Sequence, residues 1–279
     1  MPNFDTPQPI TAVVEIAAGL IRLVASDRND TVVEVRPRDE SRSHDVKAAE
    51  QVRVDFNKGT LAVTSQRGFS FPRRGAVVVD VSLPEGSRLH ASVASAQIRA
   101  EGRYVDCTLA SAGGDVSVES VTGNIKAETA SGAVTVDAVK GNAAIATASG
   151  DVTIGDLDGG VKFRAASGSL TVGRLHGNVN AQIASGDLTV TTAVNGGVSV
   201  QTSSGELVVG IAEGTAAQLD LRTRSGEVRN SLAQSDGPAD GDETLVVHAR
   251  TGSGDIVMQR ATAEAMSERG RQAGPVTTS

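Results

Sequence analysis

The chain of 279 residues carries 26 basic and 33 acidic side chains, a formal charge of -7, with 31 glycines, no tryptophan, one tyrosine, five phenylalanines and one cysteine. Hydrophobic residues at 39% can build a core, but aromatics at 2% exclude haem pockets, sugar-stacking grooves and base-stacking surfaces. The lone cysteine forms no internal disulfide, and His44, His90, His176 and His248 lack metal-ligand spacing, so no disulfide framework, zinc module or other cofactor is expected.

The start, MPNFDTPQPITAVVEI, has no basic stretch followed by an apolar one, and eighteen apolar residues never run together. These features read as a cytoplasmic chain without a membrane span. Residues 1–92 form a strand-rich N-terminal cap. ITAVVEI, LIRLVAS, TVVEVRP, QVRVDFN, GTLAVTS and AVVVDVSLP alternate apolar and polar residues, separated by turn-like DRND and NKG, with HDVKAAEQ as a helical turn. One segment breaks the pattern: QRGFSFPRRG, residues 66–75, sets Phe69 and Phe71 beside Arg67, Arg73 and Arg74. Two aromatics among three arginines make a candidate partner-binding loop. The competing reading is a hairpin turn whose rings fold back over the cap.

From residue 93 to 260 the chain repeats. SGAVTVDAVKGNAAIATA from Ser131, SGDVTIGDLDGGVKFRAA from Ser149, SGSLTVGRLHGNVNAQIA from Ser167 and SGDLTVTTAVNGGVSVQTS from Ser185 give a period of 18 three times and then 19. Looser copies start at Ser204, Ser225 and Ser253, and degenerate ones at Ser95 and Ser111. Each unit holds two alternating runs. The first gives inward columns Val116, Val134, Val152, Leu170, Leu188, Leu207 and Val118, Val136, Ile154, Val172, Val190, Val209. The second gives Ile125, Ala143, Val161, Val179, Val198 and Ala127, Ile145, Phe163, Ala181, Val200. Period two with Val, Thr and Gly excludes helical repeats. Two strands of about five residues and two turns fill one coil of a β-solenoid, and nine coils at about 4.8 Å make a rod of roughly 40 Å. After Glu227 the spacing stretches to 28 through a Gly-, Asp- and Ser-rich loop at about 231–243, and LVVHARTGSGDIVMQ is expected to close the rod. Residues 261–279 read as a disordered tail.

The acidity belongs to the repeats. Residues 1–110 hold 14 basic and 14 acidic side chains, leaving 12 minus 19, or -7, for residues 111–279, so no nucleic-acid partner is expected.

The repeated SG-D-V-T-V and GN-V-x-A motifs, preceded by strands ending in Leu83-Pro84-Glu85-Gly86-Ser87, resemble the bacterial putative-adhesin family, a domain of unknown function in β-strand-repeat proteins. The resemblance covers roughly residues 10 to 260. It implies the solenoid architecture and no catalytic residues.

The carboxylate column Asp115, Ala133, Asp151, Ser169, Asp187, Glu206, Glu227, Asp255 invites comparison with calcium β-rolls, but its early acids alternate with neutral residues, and turn chemistry explains them better. Asp156 and Asp158, with Arg174, Lys140 and His176 on neighbouring coils, form a stripe that a polysaccharide-processing β-helix could use; a solvated ion-pair patch is the simpler reading. Cys107 falls in the column of Ala127, Ile145 and Phe163 as a core thiol, and Ser131, Ser149, Ser167, Ser185 and Ser204 form a hydroxyl ladder rather than nucleophiles. The sequence thus reads as an all-β chain, a single β-solenoid (β-helix/β-roll-like), acting as a non-catalytic structural or interaction protein. Its partner is an unidentified protein or cell-envelope component, and it is a monomer or weakly self-associating. A calcium-binding or polysaccharide-processing β-helix and a self-assembling bactofilin-like scaffold are the alternatives.

Overall fold

The computed structural model describes residues 2–65, 75–233, 237–238 and 241–261. Alternating Val, Ile, Leu and Ala make strands nearly throughout. β1 (Asn3–Asp5), β2 (Thr11–Ser26) and β3 (Asp30–Pro37) precede the described helix, α1 (Ser43–Glu50), which occupies the expected helical turn. β4 (Arg53–Asn57), β5 (Thr60–Thr64) and β6 (Val77–Pro84) complete the cap. ITAVVEI and LIRLVAS are one strand, β2, with Gly19 at φ +134° inside it.

The long β7 (Ser87–Ser111) lies parallel to one edge of β2, and β5 and β6 lie parallel to its other edge. Beyond them the direction changes: β3 runs antiparallel to β6, β1 antiparallel to β3 and β4 antiparallel to β5. Phe4 and Phe56 stack with ring centroids 5.1 Å apart at this end, and both pack against the core. The Leu83–Ser87 element ties cap to coils: the fully buried Ser87 hydroxyl accepts the Ile10 N–H at 3.0 Å and donates to the Pro84 carbonyl at 2.6 Å.

From β7 onward the coils stack in parallel. β8 (Val116–Val121) and β9 (Ile125–Thr129) lie on β7, β10 (Val134–Thr147) lies on both, and β11 (Val152–Ser167), β12 (Leu170–Ser185) and β13 (Leu188–Ser204) follow. Val134 pairs with Val152 and Ile145 with Phe163, an offset of one 18-residue unit. The 19-residue unit accommodates its extra residue at Val194, skipped between the Leu175–Ala193 and His176–Asn195 pairs. A bulge absorbs it, and the Thr215 hydroxyl donates to the Val194 carbonyl at 2.7 Å.

The expected inward columns are buried, and a third lies between them: Tyr104, Val121, Val139, Leu157, Leu175, Ala193 and Ile211 are all at most 1% exposed. In β11 the inward step runs from Ile154 to Leu157, three residues instead of two, past Gly155. A strict period-two reading therefore misses it.

The C-terminal end departs from chain order. β14 (Leu207–Ile211) lies on β13 as expected, but β15 (Thr215–Ser225) and β16 (Val228–Asn230) do not continue the stack. The next layer is β17 (Glu243–Ser253), paired with β13, and β18 (Ile256–Arg260), paired with β14; β15 and β16 then lie outside β17 and β18. LVVHARTGSGDIVMQ is therefore the penultimate layer and does not close the rod. Its alternating Leu245, Val247, Ala249, Ile256 and Met258, all at most 1% exposed, suit a position covered on both edges.

Candidate interaction surface

The Ser-Gly-Asp turns are occupied by the stack itself. A Cβ on Gly150 would sit 2.3 Å from the Gly132 carbonyl oxygen, and one on Gly168 2.4 Å from that of Gly150. Glycine is therefore required by close approach of successive coils. The carboxylates beside them point along the rod. Asp115 accepts the Ala133 N–H at 3.1 Å, Asp151 that of Ser169 at 2.9 Å, Asp187 that of Glu206 at 2.8 Å and Asp255 that of Glu227 at 2.9 Å. At one neutral position, the Ser169 hydroxyl accepts the Asp187 N–H at 3.3 Å. Each oxygen pairs with a backbone donor that a turn would otherwise leave to water. Among the described residues no group of three or more His, Cys, Asp or Glu side chains could hold a metal ion.

Asp106 plays the same part at the other turn. The Asn124 N–H, 3.0 Å away, and then the Arg88 guanidinium hold its carboxyl below the usual carboxylate range.

The mixed-charge stripe is in register as read: Lys140 pairs with Asp158 and Asp158 with His176, while Asp156 lies beside Arg174. Lys140, Asp156, Asp158 and Arg174 are exposed and His176 is half-buried. They stand along an outward-facing ladder rather than converging in a cleft.

Cys107 is buried, but one inward column away from its expected place: it pairs with Ile125, and Leu109 pairs with Ala127. The pairing offset is 18 residues at Ile98–Val116 and again at Cys107–Ile125, so the irregularity between Ala100 and Arg103 leaves the column of Cys107 unchanged. Burial, with a smaller contribution from Asp106, pushes its thiol up to about 12, so almost no thiolate forms at neutral pH. The nearby Tyr104 hydroxyl is buried, with no hydrogen-bond partner, and burial raises its pKa strongly.

The rod's ends differ. The N-terminal end is shielded by antiparallel strands, the Phe4–Phe56 pair and α1, whose buried Asp45 accepts the Ala76 N–H at 2.9 Å. At the C-terminal end β15 pairs, among the described residues, with β17 alone. Its inward Ala217, Leu219 and Leu221 are only half-buried, whereas Leu245, Val247 and Ala249 directly beneath are at most 1% exposed. Val228 on β16 is 42% exposed. On the same end a shallow open hollow is lined by Gln201, Arg224, Arg250 and Ser253.

The loop residues Arg67, Phe69, Phe71, Arg73 and Arg74 lie outside the described residues, as do residues 234–236 and 239–240 of the later loop and 262–279 of the expected tail. Among the described residues no helix is long and apolar enough to cross a membrane.

Parallel coils, glycine-lined turns and an antiparallel cap define a β-solenoid. Residues 14–259 match the family described as Toastrack DUF4097, and the chain belongs to it. Among solved structures it is similar to a putative adhesin from Bacteroides fragilis NCTC 9343, at 10% identity over 92% of this chain and 95% of that one, with a TM-score of 0.46. It is also similar to two proteins of Parabacteroides distasonis ATCC 8503. One is a putative adhesin at 12% identity, over 92% and 95% of the two chains, with a TM-score of 0.40. The other is a putative lipid binding protein at 13% identity, over 94% and 96%, with a TM-score of 0.36. No curated protein matches the sequence.

Proposed function

We propose that the protein is a non-catalytic interaction module, an adhesin-like rod that presents its polar faces and loops to a protein or cell-envelope partner. One observation carries this reading: the residues repeated in every coil are engaged in joining coils. The turn glycines meet the backbone beneath them, and the turn carboxylates bind the next coil's N–H groups. A repeat used in this way makes a stiff scaffold, and recognition falls to the positions that differ between coils.

Outside the coils, the Phe69/Phe71 segment of the cap is the first position to test. Immobilised wild-type protein should retain a specific partner from an envelope fraction, and the variant with Phe69, Phe71, Arg73 and Arg74 all changed to alanine should lose it, at unchanged melting temperature. Recovery of the same partner by both proteins would remove the loop from the account. Cleavage of an acidic polysaccharide by the purified chain would overturn the non-catalytic reading.

A further inference from the structure

The C-terminal end of the rod is open in two respects. Among the described residues, Leu219 and Leu221 of its core are only half-buried, and its last long strand has no partner on its outer edge. The Ser225 carbonyl accepts from Gly254 and the Glu227 carbonyl from Ile256, so the odd-numbered residues of β15 direct their backbone groups at the neighbouring layer. Strand alternation then turns the N–H and C=O groups of Gln218, Asp220, Arg222 and Arg224 outward. Such an edge is a template for another strand.

We propose that this edge pairs with the same edge of a second copy, antiparallel and about a two-fold axis through Leu221. Charge selects both occupant and register. Centred on Leu221, Asp220 of each copy lies opposite Arg222 of the other, twice over, and Arg224 lies opposite Gln218. Moving the axis to Asp220 sets Asp220 against Asp220, and moving it to Arg222 sets arginine against arginine at the centre, with Asp220 then opposite Arg224, so the Leu221 register alone carries no like-charge pair. The outward backbone groups of Asp220 and Arg222 are those that an antiparallel hydrogen-bonded pair requires. On the inward side Leu221 meets Leu221 and Leu219 meets Thr223, so the two cores become continuous. An interface of this kind is isologous and closes at two copies. The antiparallel cap at the other end gives no equivalent parallel stack to extend. This inference rests on the fold and is independent of the proposed partner binding.

The test exploits the symmetry. Wild-type full-length protein should sediment at twice the 28.4 kDa chain mass. Asp220→Arg sets arginines opposite one another and Arg222→Asp sets aspartates opposite one another, so each variant alone should associate at least ~30-fold more weakly. Mixed in equal amounts the two variants should form a heterodimer, because their charges are again complementary. Within each single variant the Asp220–Arg222 pair along the strand, 3.1 Å in the wild type, is broken, so recovery on mixing reports contact between copies. Circular dichroism and melting temperature establish that each variant is folded. A wild type that stays monomeric, single variants that remain dimeric, or a mixture that stays monomeric would each overturn the proposal; a monomer would mean that these charges keep the edge unpaired.

Discussion

Gly177→Ala should lower stability by roughly 3–5 kcal/mol, through a φ that L-residues rarely adopt and a side chain with no space. Gly177 has φ +131°, and its Cβ would lie 2.0 Å from the Gly159 carbonyl oxygen. The obstacle is backbone, and it belongs to the coil beneath, so relief requires the coils to part. Parting them weakens the parallel ladder on both sides, because Gly177 pairs with Gly159 in one direction and Gly196 in the other. For a chain of this size the melting temperature should fall by roughly 6–15 °C. Gly59→Ala is the control: φ is +75°, with nothing within 4 Å of the added Cβ, and the expected loss is about 1 kcal/mol. Thermal melts of the two variants separate close approach from backbone freedom. Equal losses would contradict the stacking explanation of the glycine columns.

Phe163→Ala should cost about 3–5 kcal/mol, measured by denaturant unfolding. Phe163 is fully buried and stands between Ile145 and Ala181 in one inward column. Small Ala181 makes room for the ring of the coil below, which suits a column in which large and small residues are mixed. The exchange Phe163→Ala with Ala181→Phe conserves volume and should recover part of the loss, whereas Ala181→Phe alone overpacks the layer by about 1–3 kcal/mol. If the exchanged protein were no more stable than Phe163→Ala, the layers would not be sharing space as described.

Much of this structure is legible in the sequence. The Val152/Leu170 and Val161/Val179 columns, the 18-residue register and the α1 turn follow from local chemistry that repeats, and repetition made each position its own control. The third inward column was hidden because the step to Leu157 is three residues. Cys107 lies one column from its expected place, although the 18-residue offset that pairs Ile98 with Val116 also pairs it with Ile125. The order of the last layers was hidden for a different reason. Parallel coils share one pattern, so the copy at Ser253 aligns as well with Ser204 as with Ser225, and alternation does not state which neighbour it chooses. A signal was present in the comparison of strands: Leu245, Val247 and Ala249 are apolar and interior, while β15 interleaves Leu219 and Leu221 with Gln218, Asp220, Arg222 and Arg224 as an edge strand does. The candidate surface was less legible still, since an open end exists only once the layer order is known.

That layer order underlies the uncovered core, the free edge and the two-fold pairing, and one measurement addresses it directly. Ser199 lies beside His248 on the outer face, and Asp220 lies one strand beyond His248. Adjacent strands place Cα atoms about 4.8 Å apart, within disulfide reach, and two strand spacings lie beyond it. Under mild oxidation of the folded protein, Ser199→Cys with His248→Cys should form an intramolecular disulfide, and Ser199→Cys with Asp220→Cys should not. A bond in the second pair and none in the first would show that the coils follow chain order, and the open C-terminal edge described for β15 would not exist.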